Sequence, residues 1–454
     1  MTSIPAPAPS QGPAASWRAV GGEGVLSRAR SAARPQLTGI VTGAMGLTLS
    51  VEGVTAAVGD LVEVSPGERP LLAEVVAVHR DRLTCMPLGD LSGIRSGTPV
   101  RPTGRPLQVP VGEALLGRVL DGLGRPLDGG PPLGSLVSYV DLTSETPNAL
   151  TRARVSRPLA TGVRALDTLV PVGRGQRLGI FAGSGVGKST LLSQITRGTD
   201  ADIRVIGLIG ERGREVREFI EEDLGPEGLA QSVVVVATSD EPPLVRLKAA
   251  FVATRIAEAF RDQGRDVLLM MDSITRTAMA QREVGLSAGE PPATRGYPPS
   301  VFAMLPKLLE KAGTSTAGSI TGLYTVLVDG DDHNEPIADT ARSILDGHVV
   351  LTRKLATTGH FPAIDVLESI SRVATAVVPG AQMTDARELR RMLGALRDVR
   401  ELIEIGAYQT GTDPLVDRAR RLVPDIDAFL RQSTADSTPL PEAWARLHAI
   451  ITAA

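Results

Sequence analysis

Between about Leu37 and Pro102 the apolar residues come in short runs closed by glycine or an acid: Gly39-Ile-Val, Gly46-Leu-Thr-Leu-Ser-Val, Val58 to Val64, Leu71 to Val78 and Leu83 to Met86. Runs of this length, recurring at roughly 8–12 residues, predict many short strands and so a small β-barrel or sandwich over 37–105. The passage from Gly117 to Pro132 is rich in glycine and proline and reads as connecting loops. From about Leu150 to Val378 strand-like apolar runs alternate with amphipathic helical stretches, as in an α/β domain with a largely parallel sheet, here assigned to 106–380. Beyond Thr384, Leu389, Met392, Leu393, Leu396, Val399 and Leu402 fall on one helical face. Further helical pieces at Val416 to Leu422, Ile426 to Leu430 and Glu442 to Ile451 make 381–454 a helical unit.

Residues 1–36 form a different kind of segment, Pro/Ala/Ser-rich and punctuated by Gly21-Gly22, that cannot bury much and is expected to be a flexible tail. Four arginines (Arg18, Arg28, Arg30, Arg34) against Glu23 leave it basic, which suits either a solvated tail or a docking segment.

Composition narrows the function classes. A length of 454 residues suggests about three structural units. The formal charge of −3 gives no global footprint for nucleic acid. The barrel region is almost without aromatics, which removes the stacking surface of a nucleic-acid-binding barrel. No apolar run approaches the ~18 residues of a membrane span, and the single cysteine, Cys85, forms neither an internal disulfide nor a cysteine-rich metal site. Without a signal peptide either, a cytoplasmic location is the expectation.

The chemistry is concentrated in the α/β region. Leu178 to Ala182 is strand-like and runs into Ala182, Gly183, Ser184, Gly185, Val186, Gly187, Lys188, Ser189 and Thr190, after which the chain reads as helix. That is the context of a phosphate-binding loop: glycines let successive N–H groups close around a phosphate, the helix start adds its dipole, Lys188 supplies a mobile charge and Ser189 can ligate magnesium. Only five of the 48 basic residues are lysine, so a chance match of this kind is improbable by composition, although Ala182 stands where the general pattern has glycine. Asp266-Val-Leu-Leu-Met-Met-Asp272 ends an apolar strand in a carboxylate, which makes Asp272 a candidate magnesium anchor. Ile203 to Gly210 is another such strand, followed by Glu211 and Arg212, where a carboxylate could orient a water or simply open the next helix. Gly330-Asp-Asp-His-Asn-Glu-Pro336 has one histidine among carboxylates at irregular spacing and is read as a polar loop near the nucleotide, not a metal site.

Several motifs together carry a family resemblance. Pro362 to Ser371 matches the signature shared by the α and β subunits of rotary ATP synthases and their export relatives. Gly289 to Phe302, Gly210 to Phe219 and Ser343 to Leu351 resemble the export branch, the ATPases that energise type III secretion and flagellar export, and similarity runs from about 37 to 432. The Gly330 to Pro336 stretch resembles the flagellar form more than the virulence-associated one.

The resemblance implies a P-loop ATPase core of RecA-like fold between an N-terminal barrel and a C-terminal helical domain, hydrolysing ATP with Mg²⁺. It implies Lys188 on the β- and γ-phosphates, Ser189 and Asp272 at the metal, Glu211 as catalytic carboxylate with Arg212 beside the γ-phosphate, and Arg372 as an arginine finger reaching a neighbouring subunit. Phe361 matches an aromatic that stacks on adenine, whereas Ser433 and Thr434 stand where rotary β subunits have aromatics. A finger acting in trans implies a homohexameric ring. The expected partners are export-gate membrane proteins, a stator-like regulator, a central stalk protein, and export substrates with their chaperones, in the cytoplasm at the inner-membrane export apparatus and without nucleic acid. Rival readings are a virulence-type secretion ATPase, a rotary synthase subunit, a ring-shaped RNA translocase and a non-catalytic scaffold.

Overall fold

A computed structural model describes residues 37–67, 70–148, 150–328 and 335–453. The N-terminal tail and most of the Gly330 loop, Asp329 to Asn334, lie outside these residues.

The strand-rich region is a closed six-stranded barrel. Strands β1 (Gly39–Met45), β2 (Thr48–Glu52), β3 (Asp60–Val64), β4 (Leu71–Val78), β5 (Leu83–Pro87) and β6 (Pro99–Pro106) are joined in the order β1-β2-β5-β4-β3-β6, and β6 returns to β1. Alternation divides the side chains between two tasks. Leu49, Val51, Val62, Val64, Val75 and Cys85 fill the barrel, while Leu61 and Met86, on the other face of their strands, join the core of the α/β domain. Closure leaves no open edge. Lys248 and Glu74, 2.5 Å apart, add an ion pair across the same junction.

A larger sheet carries strands β7 (Val119–Asp121), β8 (Arg177–Ala182), β9 (Ile203–Glu211), β10 (Ser232–Thr238), β11 (Asp266–Asp272), β12 (Ser319–Leu327), β13 (Gly347–Leu351) and β14 (Ile364–Ser371). Their order is β14-β13-β8-β12-β11-β9-β10-β7, parallel throughout except at β13–β14, with Gly313–Thr314 folded back on β12. The passage read as connecting loops therefore supplies an edge strand, β7. Its three residues take their strand character from pairing with β10 and give no periodicity of their own to read.

Continuous apolar runs such as Val233 to Ala237 are buried on both faces. Val205, Val233, Val235, Leu269 and Met271 point to one core, covered by helices Pro243–Asp262, Ile274–Ser287 and Pro299–Leu309; Ile206, Val234, Leu268 and Met270 point to the other. That second face is covered by helix α1 (Lys188–Gly198) and by the C-terminal helices α2 (Gly380–Asp398), α3 (Pro414–Leu430) and α4 (Leu440–Thr452).

Two helical expectations change. The stripe from Leu389 to Leu402 ends its helix at Asp398 and resumes in a short turn, Arg400–Glu404. The two pieces expected at 416–422 and 426–430 are one helix that runs through Pro424. Asp413 caps it, accepting from the N–H groups of Leu415 at 2.8 Å and Val416 at 3.4 Å, and Val416, Ala419, Leu422, Ile426 and Phe429 lie on its buried side, so packing outweighs the hydrogen bond that proline forfeits. Among the described residues no helix is long and apolar enough to cross a membrane.

Cys85 is wholly buried in the barrel, and burial pushes its thiol up to about 12. The native chain should therefore resist an aromatic disulfide reagent at pH 8 and react stoichiometrically only when the barrel opens. Rapid labelling without denaturant would contradict a closed barrel.

Candidate functional site

The carboxyl ends of the parallel strands meet along one edge of the sheet, where the crevice of an open α/β fold lies. Here β8 runs into the glycine loop, β9 ends in Glu211 and β11 ends in Asp272. Gly185 and Gly187 have φ of 76° and 88°, in the left-handed region, so the loop can turn sharply into α1 with Lys188 as its first residue. Val186 is buried and anchors the loop, while Ser184 and Gly185 are exposed. Gly187 has a second reason to be glycine: a Cβ there would come within 3.3 Å of the Phe361 ring.

A register shift between Ile209 and Glu211 interrupts the pairing of β9 with β10, and Gly210 at φ 72° makes that break. A side chain on Gly210 would strike Arg276. The irregularity re-aims the strand end. Glu211 Oε1 lies 3.5 Å from Lys188 Nζ, and Asp272 Oδ1 lies 2.5 Å from it. Asp272 also accepts from Thr325 Oγ1 at 2.6 Å, which fixes its rotamer from the neighbouring strand. Ser189, Glu211, Asp272, Glu215 and Asp223 line one cleft.

The three charges shape one another. Burial pushes the Glu211 carboxyl above the usual carboxylate range; Lys188 pulls it down and Asp272 pushes it up again. Burial also works against the Lys188 ammonium, but Asp272 and Glu211 outweigh it and hold Lys188 above the ordinary lysine value. Two carboxylates against one ammonium leave the cleft short of positive charge. Ser189 and Asp272 are hard oxygen donors on its wall, the donor type that magnesium takes.

Arg212 is exposed and pairs with Glu215 at 3.3 Å instead of joining Lys188. Phe361 is half-exposed beside the glycine loop, and its carbonyl accepts from the N–H of Gln432 at 2.9 Å. Arg372 is at the other edge of the sheet. Ser371 pairs with Gly347 at the start of β13, whereas Leu351 at the end of β13 pairs with Ala182, so roughly 13 Å of strand separates Arg372 from the level of its own glycine loop. Arg372 is exposed, with Nη2 3.5 Å from the carbonyl of Arg342.

Thr325 was not singled out in the sequence, and Gln432 entered only as the end of Phe429-Leu-Arg-Gln, which resembles the start of the family's adenine segment, with no role of its own. A lone threonine inside the apolar run Leu323-Tyr-Thr-Val-Leu was the available signal for the first. The second becomes visible only when the C-terminal segment folds back onto the loop.

With this geometry in view, comparison with known proteins is direct. The chain matches the ATP synthase alpha/beta family, beta-barrel domain, over 41–104, that family's nucleotide-binding domain over 162–371, and the T3SS EscN ATPase C-terminal domain over 378–449. It is 50% identical over 435 residues to the flagellum-specific ATP synthase of Pseudomonas aeruginosa, covering 94% of this chain and 96% of that one. The chain belongs to the ATP synthase alpha/beta family, in its type III secretion branch. It is an ATPase of that branch. It is also 51% identical over 398 residues to the type 3 secretion system ATPase of Xanthomonas euvesicatoria, over 87% of this chain and 90% of that one. A solved structure of the assembled ATPase EscN with its central stalk EscO, from enteropathogenic E. coli, superposes with TM-score 0.86 at 46% identity, over 91% of this chain and all of that one.

Removing Lys188 would leave the partly buried Glu211 carboxyl, already held above the usual carboxylate range, facing the Asp272 carboxylate with no cation between them. Stability from such a raised group is present in acid and lost as pH rises through the raised value. Lys188→Ala should therefore be less stable than the wild type by roughly 3 kcal/mol near neutral pH, with the difference shrinking towards pH 4. Denaturant titrations across that range check this; a difference independent of pH would reject the charge balance described.

Proposed function

We propose that this chain is a motor ATPase that hydrolyses ATP with Mg²⁺ in a ring of identical subunits, six by family resemblance, and energises export of flagellar proteins through a type III secretion apparatus. The observation that carries the reading is Lys188, on its glycine loop, bracketed by the strand-end carboxylates of Asp272 at 2.5 Å and Glu211 at 3.5 Å. Loop N–H groups from Gly183 to Thr190 cradle the phosphates and Lys188 swings onto the β- and γ-oxygens. Ser189 and Asp272 would hold magnesium, which would supply charge neutralisation at the phosphates. Glu211, whose raised pKa brings it nearer to neutrality, orients the attacking water and accepts its proton. Arg212 turns from Glu215 towards the γ-phosphate, and Phe361 offers its ring to the adenine.

Arg372 lies at the far edge of the sheet and so serves a neighbour's site, which makes the ring the working unit. The central stalk of the solved relative supports a stalk protein as partner. The flagellar assignment is favoured by the Gly330 to Pro336 motif, since relatives of both export types match the chain equally well.

Glu211→Gln should lower kcat by at least about 100-fold while nucleotide binding persists. The specific ATPase rate should rise with protein concentration, and Lys188→Ala and Arg372→Ala, inactive alone, should recover activity when mixed. A specific rate flat over the whole concentration range with no recovery would mean a site complete within one chain, and the ring motor would be rejected.

A further inference from the structure

The turn that opens β13 holds a polar cluster remote from the phosphate cleft. Asp346 Oδ2 accepts from the backbone N–H of Arg177 at 3.1 Å and from its Nε at 3.0 Å, and Oδ1 accepts from Nη2 at 3.1 Å. The Asp346 N–H donates to the carbonyl of Arg177 at 2.8 Å, and its own carbonyl accepts the N–H of Arg372 at 2.9 Å. Gln176, wholly buried, donates from Nε2 both to that carbonyl at 3.1 Å and to Ser371 Oγ at 3.2 Å. The Ser371 hydroxyl in turn donates a hydrogen bond to the carbonyl of Pro171 at 2.7 Å.

These contacts fix the root of Arg372 and leave its tip exposed. The bidentate Arg177–Asp346 pair is shielded from solvent on the arginine side, so it is stronger than an ordinary surface pair. Among the described residues the Arg372 guanidinium has no carboxylate partner. A long side chain anchored at its backbone and held at its end by one 3.5 Å contact to the Arg342 carbonyl suits a residue that must reach a fixed point outside its own subunit. Misplacement by about 1 Å at a reacting centre can lower a rate ~100-fold.

We propose that Asp346 is a positioning residue for Arg372: it locks the arginine's backbone to the first residue of β8 and so sets where the guanidinium enters the neighbouring subunit's site. The proposal rests on the reading of Arg372 as a group acting in trans.

The test uses the full chain. Asp346→Asn weakens the grip on Arg177, and Ser371→Ala removes one hydroxyl beside Arg372 with little risk to folding. Each is assayed alone and mixed with Lys188→Ala, alongside Arg372→Ala treated the same way. Asp346→Asn should lose roughly 10- to 100-fold in kcat with KM for ATP within about twofold, because its own nucleotide site is intact. Mixing with Lys188→Ala should restore activity, since that chain brings a correctly held Arg372. Ser371→Ala should follow the same pattern more weakly, and it decides alone if Asp346→Asn does not fold. The double variant Asp346→Asn, Arg372→Ala should be no slower than Arg372→Ala. If Arg372→Ala is inactive and rescued while Asp346→Asn and Ser371→Ala keep wild-type kcat, or lose it without rescue, the positioning role is wrong and the trans reading stands. If Arg372→Ala is itself not rescued, both fall.

Discussion

One ammonium between a buried and a partly buried carboxylate is the constraint around which the nucleotide domain is arranged. At an effective dielectric near 20, unit charges 4 Å apart interact by about 4 kcal/mol, so Lys188 is held against both Asp272 and Glu211, yet its pull does not offset the burial of the Glu211 carboxyl. The arrangement is stable only while the lysine stays. Lys188 can turn to a phosphate only if another positive charge takes over at Asp272, which couples phosphate recognition to cation recognition through electrostatics alone. Burial, with the Asp272 charge adding to it against the pull of Lys188, keeps Glu211 above its ordinary range, in the direction a water-activating carboxylate requires.

Holding those charges in place is the work of the sheet. Each central strand divides its side chains between two cores, so no strand can slip by one residue without turning an apolar face into the wrong layer. Asp272 and Glu211 inherit that rigidity because they are the last residues of such strands, and Thr325 adds a hydrogen bond from a third. The exception is the break at Gly210, where irregular backbone is tolerated beside the reacting groups.

What was legible in the sequence followed from signals that are local. The glycine loop, the Asp272 strand and the barrel runs each carry their pattern within about ten residues, and the structure places them as expected in the fold. Strand β7 was not legible because three residues take their state from a partner over a hundred residues away. The single helix through Pro424 was misread for the converse reason: a strong local breaker is overruled by a buried stripe that only tertiary packing reveals. Gln432 and Asp346 were silent because their partners, Phe361 and Gly162 for the one and Arg177 and Arg372 for the other, are brought to them only by the fold. Family resemblance named Arg372, yet only the antiparallel pairing of β14 puts it on the opposite edge from Lys188.

That opposition has a mechanical consequence. The strand that feeds the glycine loop begins at Arg177, and Arg177 is the residue that grips Asp346 and, through it, the backbone of Arg372. One chain thus has its glycine loop at one end of β8 and Arg372, the arginine proposed to serve a neighbour, beside the other, five residue steps or ~17 Å of strand apart. A strand buried in a sheet of this width resists bending, so a displacement of the glycine loop along the strand axis need not be absorbed before it reaches Arg177. Communication between successive sites in a ring can then run along β8 as a rigid element, with no change required in the helices on either face. The Arg177–Asp346 pair is where such a displacement would pass from one chain's nucleotide to the next.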